Sequence, residues 1–206
     1  MPNYYLSTYT PLIHNRFGRQ ACQDHGHPPF VDASCRREPD LESPFPSISA
    51  LCRAQMFAPR LHEGDQVIYM TKKGSAAKGM RHLVAALEVL HRFNTHKEAQ
   101  AWYLERGLPL PGNCLVRGNL PLSVDHTDRF TQDVRRWDLG YQARVRAHGT
   151  FLVCRALALE LHKPRAITDD QLKSIFGRDD VPGTRTPPSI PKSNFDALLS
   201  LFNRSG

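Results

Sequence analysis

The 206-residue chain has no apolar run approaching the roughly 18 residues that span a bilayer. Its first ten residues, MPNYYLSTYT, have no basic start leading into an apolar core, as a secretion signal would. Neither a membrane partner nor export is therefore expected, and a cytoplasmic chain is. No internal repeat or low-complexity tract is visible, which excludes solenoids and fibrous arrays. The five cysteines, Cys22, Cys35, Cys52, Cys114 and Cys154, are odd in number and scattered, so a disulfide framework is not expected. Cys22-x-x-His25-x-His27 followed by Cys35 supplies zinc-type ligands, but the second tight pair of a structural zinc site is missing. No metal and no cofactor are expected. The loop at 72–79, KKGSAAKG, is basic and glycine-bearing, but it lacks the GxxxxGK[ST] order of a phosphate-cradling Walker loop.

What is present describes a globular protein. Hydrophobic residues make up 40% and charged residues 23%, and the length suits one domain or one domain with an appendage. The net charge of +7 and a pI near 9.4 favour polyanionic partners.

Residues 4–10, rich in tyrosine and threonine, read as a first strand. A long polar passage with His14, Arg16, Arg19, His25 and His27 follows Pro11 and reads as loop. Residues 31–69 then change character midway. Arg36, Arg37, Glu38, Asp40 and Glu42 crowd together between Pro39, Pro44 and Pro46, where no regular helix can run. Ser47 is positioned to cap a short helix reaching Arg53. A Glu63-Gly64-Asp65 turn leads into a buried strand from Val67 to Thr71. A charged, proline-braced loop held between apolar elements is a common way to present a binding site, and a solvated connection is the alternative.

Residues 82–93 combine helix-like leucine spacing with Val84, Val89 and Phe93, and they stop sharply at Asn94. A strand fits best, because Thr95-x-x-Glu98 opens a new helix that Gly107 closes. Cys114 to Val116 reads as a short strand in a proline- and glycine-rich loop, where Asn113 either turns the backbone or donates to a ligand. Residues 130–145 are helical, and 150–162 form an apolar helix or strand. Thr168 caps a short helix to about Phe176, and Ser193 opens a last one.

The residues 61–70, LHEGDQVIYM, and 83–90, LVAALEVL, together with the elements around them, resemble the PUA-like superfamily of EVE, ASCH and YTH domains. Within it, the nucleotide-modification-associated domains are the most similar. The resemblance covers roughly residues 3–120. It implies an α+β fold: a small mixed β-barrel with peripheral helices over residues 1–125, and a helical C-terminal extension, 126–206, packed on it. It also implies a pocket for a modified or flipped base, and points to Ser34, Arg36 and Arg37 in the charged loop and Ser47 and Ser49 after the prolines. The chain departs from the EVE pattern in having no early tryptophan.

The residues alone support a weaker statement. Loop arginines recognise phosphate or a guanine edge bidentately, or else form an internal ion-pair lattice with the neighbouring carboxylates. Arg53, Asn113 and Arg185, the last in a second candidate loop, complete the ligand-binding set. Trp137 and Tyr141 lie one helical turn apart beside Arg135, Arg136, Arg144 and Arg146; helix packing accounts best for the aromatics, and backbone contact for the arginines. The expected function is a binding module for modified bases or nucleotides in nucleic acid. The alternative is a nucleotide- or nucleic-acid-processing enzyme, such as a metal-dependent nuclease using Glu38, Asp40 and Glu42. Serine, cysteine and histidine are all present, but spacing singles out no nucleophile–base pair, and no catalytic residue is assigned.

Overall fold

The computed structural model describes residues 1–51, 56–129, 133–177 and 187–202. Arg53 and Arg185 fall outside the described residues, as does the Arg185 loop.

The chain builds one mixed α+β unit around a curled, half-barrel sheet. Its strands are β1 (Tyr4–Tyr9), β2 (Ser47–Ser49), β3 (Gln66–Thr71), β4 (Arg81–Phe93), β5 (Phe151–Leu159) and β6 (Arg165–Ile167). The hydrogen-bonded order is β1-β3-β4-β5-β2, with β6 also on β4. Only the β1–β3 pair is parallel; the others run antiparallel. β4 is long because it serves three partners: Arg81 to Leu83 pair with β6, and Ala85 to Phe93 with β5, while β3 lies on the other side. Among the described residues β1 and β2 end the path, so the sheet curls without closing. Residues 188–190 cover the edge of β1, where Leu6 N–H donates to the Pro188 carbonyl and Ile190 N–H to Tyr4. That contact satisfies groups an open edge would otherwise leave free.

Alternation along the strands sends side chains to two cores. Tyr5, Tyr9, Val67, Tyr69, Ala85 and Leu87 face one side with Phe57 and Leu61. Leu6, Ile68, Met70, Leu83 and Ala86 face the other. There they are covered by Leu172 of α4 (Asp169–Phe176) and by Phe195 and Leu198 of α5 (Lys192–Ser200). Helix α2 (His96–Glu105) packs Ala99, Trp102 and Tyr103 on Phe151 and Val153. The expected capping box is present, with Thr95 and Glu98 side chains each bonded to the other's backbone. The strand expected over 82–93 is β4.

Four expectations give way. Ser47 does not cap a helix: Ser47–Ser49 is β2, because the backbone of Ser47 pairs with Asp40 on one side and with Val153 of β5 on the other. The polar passage after Pro11 holds helix α1 (Arg16–His25), started by Asn15, whose side chain accepts from the Phe17 and Gly18 N–H groups. Cys114 to Val116 form no strand; the segment turns on Asn119, whose amide donates to the Pro111 and Cys114 carbonyls. Residues 126–206, expected as a helical extension, contain α3 (Val134–Ala147), α4 and α5 but also contribute β5 and β6 to the same sheet. Among the described residues no helix is long and apolar enough to cross a membrane.

Candidate ligand pocket

The charged loop does not sit on the surface. Every residue from 30 to 41 is buried, although six of them, Asp32, Ser34, Arg36, Arg37, Glu38 and Asp40, are polar or charged. Burial of such groups is tolerable only if each is paired. Arg36 Nε donates to Asp138 Oδ1 of α3 at 2.6 Å, and its Nη1 to the Asn119 carbonyl at 2.9 Å. Arg37 Nε donates to Glu42 at 3.1 Å, Nη1 to the Asp32 carbonyl at 2.7 Å, and Nη2 to the His126 carbonyl at 3.1 Å. Both guanidinium groups are thus spent inside the protein. Of the two readings open to them, the internal lattice is realised for both; Arg36 also borders a second cavity of about 310 Å³, beside Arg117 and Arg146.

The carboxylates are engaged as fully. Asp40 Oδ1 accepts from the N–H groups of Glu42 and Ser43, and Oδ2 from Gly112 N–H at 2.6 Å. Asp32 Oδ1 accepts from Ser34 N–H at 2.9 Å and Glu38 N–H at 3.1 Å. Glu38 accepts from the Ser49 hydroxyl at 2.5 Å, from Ser49 N–H at 3.0 Å and from the Asn113 amide at 2.9 Å. Asn113 Oδ1 in turn accepts from the Ser47 hydroxyl at 2.6 Å. Asn113 is therefore fully buried among protein partners. Burial raises Asp32 and Asp40 above the ordinary carboxylate range, and it drives Glu38 up to about 8 despite its donors.

One wall of this loop faces a cavity of about 510 Å³. Asp32, Ser34 and Glu38 line it from the loop, Ser49 from β2, and Tyr9 and Tyr69 from the sheet. His14, Asn15 and Phe17 enter from the start of α1, and Asp128 and Arg129 from the segment before α3; Lys72 stands at the end of β3. Three features give the cavity chemical character. Asp32, Glu38 and Asp128 bring three carboxyl groups, all raised by burial. Tyr69, Phe57, Tyr141 and Phe17 supply aromatic surface. The Ser34 hydroxyl is buried beside the Asp32 carboxyl, which it helps to stabilise.

Two cations flank these groups. Lys72 is exposed, and Arg129 stacks over Trp137 with its guanidinium carbon 4.4 Å from the ring centre. His14 Nε2 lies 3.0 Å from Asp128 Oδ2, and its Nδ1 3.1 Å from the Pro11 carbonyl, which holds the ring between two acceptors.

Of the residues expected to bind a ligand, Ser34 and Ser49 line the cavity, and Arg36, Arg37, Ser47 and Asn113 build the layer beside it. The sequence assigned His14, Asp128, Arg129 and Lys72 to no site, although Asn15, beside His14, caps α1. Tyr141 is buried and Arg144 donates to the Leu51 carbonyl, so that part of the stripe on α3 packs inward, whereas Arg135, Arg136 and Arg146 are exposed. The cysteines Cys22, Cys35, Cys114 and Cys154 are free, and among the described residues they enter no metal-ligating cluster.

Compared with known proteins, the chain matches no family model, no curated protein and no solved structure.

Proposed function

We propose that the chain is a binding module that takes a modified base or nucleotide of a nucleic acid into the cavity between the buried loop and α1. The observation that carries this reading is the lining itself: three protonatable carboxyl groups and the hydroxyls of Ser34 and Ser49 beside aromatic side chains. A cavity of about 510 Å³ lies within the usual range for small-ligand sites and is large enough for a nucleoside. Proteins that extrude a base read it by hydrogen bonds to its edge and by aromatic contact. Carboxyl groups accept from exocyclic amino and ring N–H groups and, when protonated, donate to ring nitrogens, whereas phosphate is drawn to cations, so the base enters the cavity while its phosphates remain near Lys72 and Arg129. The basic balance of the chain supports a polyanionic partner.

The resemblance to PUA-like domains is in keeping with this reading, with the contact set revised. Ser34, Ser49, Asp32, Asp128, Lys72 and Arg129 replace the loop arginines. The test is thermal stabilisation by free nucleosides. Amino-bearing bases raise the melting temperature of the wild-type protein and not of Ser34→Val; equal shifts in both exclude the cavity.

The enzymatic alternative keeps one supporting observation, the His14–Asp128 pair in the cavity wall. Its original metal-binding carboxylates fare worse, since Asp40 and Glu38 already accept from backbone and side-chain donors. Turnover of a nucleotide lost in His14→Gln would favour that reading over a pure binder.

A further inference from the structure

Away from the cavity lining, three histidines that the proposed function does not use converge between the end of α1 and the 3-10 turn Val124–His126. The rings of His25 and His126 are stacked, with centroids 3.6 Å apart and planes 20° from parallel. His27 Nε2 lies 2.9 Å from His126 Nδ1, and His25 Nε2 lies 3.6 Å from Asp125 Oδ2. Ligand atoms of His25, Asp125 and His126 all fall within 4.8 Å of one another. Outside this group stands Glu42, with Oε1 3.5 Å from His27 Nδ1.

We infer that His25, His126 and Asp125 form a binding site for a divalent transition ion of the zinc class. Two imidazoles and one carboxylate leave a fourth position for water, a common donor set for zinc. Imidazole donors select zinc, nickel, copper or cobalt over magnesium and calcium, which prefer all-oxygen sites. The arrangement also contains the outer layer such sites use. A ligating histidine usually hydrogen-bonds its second ring nitrogen to a partner that orients it. His126 does so to His27, and His27 faces Glu42, giving a chain of two side chains behind one ligand. Metal–nitrogen distances near 2.0–2.1 Å require the stacked rings to rotate apart, which side chains at this surface can do; His25 is 23% and Asp125 66% exposed.

The ion would join two walls of the cavity. His25 closes α1, whose cap Asn15 follows His14, and His126 lies two positions before Asp128. A bound metal would fix these walls against each other without touching the ligand.

The experiment is titration of untagged, chelator-treated protein with Co²⁺, read by visible absorption, and competition with Zn²⁺. The expected result is one ion per chain with a ligand-field band typical of four-coordinate cobalt, displaced by Zn²⁺ and unaffected by Mg²⁺. His126→Ala and His25→Ala each weaken binding by at least 10-fold. His27→Phe, acting through His126, weakens it by about 10-fold. His148→Ala, an exposed histidine outside the cluster, changes nothing. An absent cobalt band overturns the inference, as does unchanged affinity in His25→Ala/His126→Ala. Should a variant fail to fold, the wild-type spectrum and its stoichiometry decide alone.

Discussion

Glu38 and Ser49, 11 positions apart, are joined by both the hydroxyl and the N–H of the serine, each donating to the same buried carboxyl group. This contact pins the charged loop to β2 and places both residues in the cavity wall. It also sets a pH dependence. Glu38 titrates near 8 in the folded protein, above the ordinary 4.5 of a glutamate. Between those values the folded state holds a proton the unfolded state has released, so stability falls as pH rises through the window. In Glu38→Gln, which mimics the protonated side chain, that loss disappears. Denaturation at pH 5 and pH 8 should therefore show the variant gaining on the wild type as pH increases; a constant gap would mean that Glu38 is ionised throughout.

His96 produces the opposite slope at lower pH. Its Nδ1 accepts from Leu115 N–H, its Nε2 is buried without a partner, and burial lowers its pKa to about 4. From 6.5 down to about 4 the unfolded state takes up a proton that the folded state refuses, so stability is lost as pH falls. The full contribution is about 3 kcal/mol. His96→Gln should flatten the acid limb of the stability curve, and an unaltered limb would remove His96 as its origin.

Arg36 and Asp138 form a buried pair, so their removal should be felt as stability rather than as affinity for phosphate. Arg36→Ala leaves Asp138 unpaired and should cost about 3–5 kcal/mol. Arg36→Met/Asp138→Leu should recover most of that loss, because neither charge then remains buried alone. A fully stable Arg36→Ala protein with weakened nucleic-acid binding would restore the arginine to the ligand interface.

Gly18 is required by close approach. A Cβ at this position would lie 1.6 Å from the carbonyl oxygen of Leu12. Gly18→Ala must therefore shift α1 away from the Leu12–His14 turn, costing about 2–4 kcal/mol and displacing Asn15 and Phe17 from the cavity. Chemical denaturation measures the loss.

The regular elements were legible where one local rule sufficed. The tyrosine-rich β1, the strand after Gly64-Asp65, and the capping boxes at Thr95 and Thr168 follow from residues within a few positions of each other. The Asp65 of that turn is an anchor, accepting from Asn3 and His62 N–H groups. The site was legible only in part, because its polarity is balanced by partners far along the chain. Arg36 finds Asp138 102 positions away, and Glu38 finds Asn113 at 75. Without those partners a charged loop reads as surface. α1 was hidden for a related reason: it buries only Gly18 and Ala21, too little for an apolar stripe.

Fluorescence anisotropy with short single-stranded and duplex oligonucleotides, unmodified and base-modified, at two salt concentrations decides whether the cavity reads a modified base. Binding should depend on the modification, proceed without cleavage and be competed by the free modified nucleoside. Lys72→Ala should keep the melting temperature but lower the salt slope by about 1. Absence of binding to every oligonucleotide at low salt would contradict the proposed function.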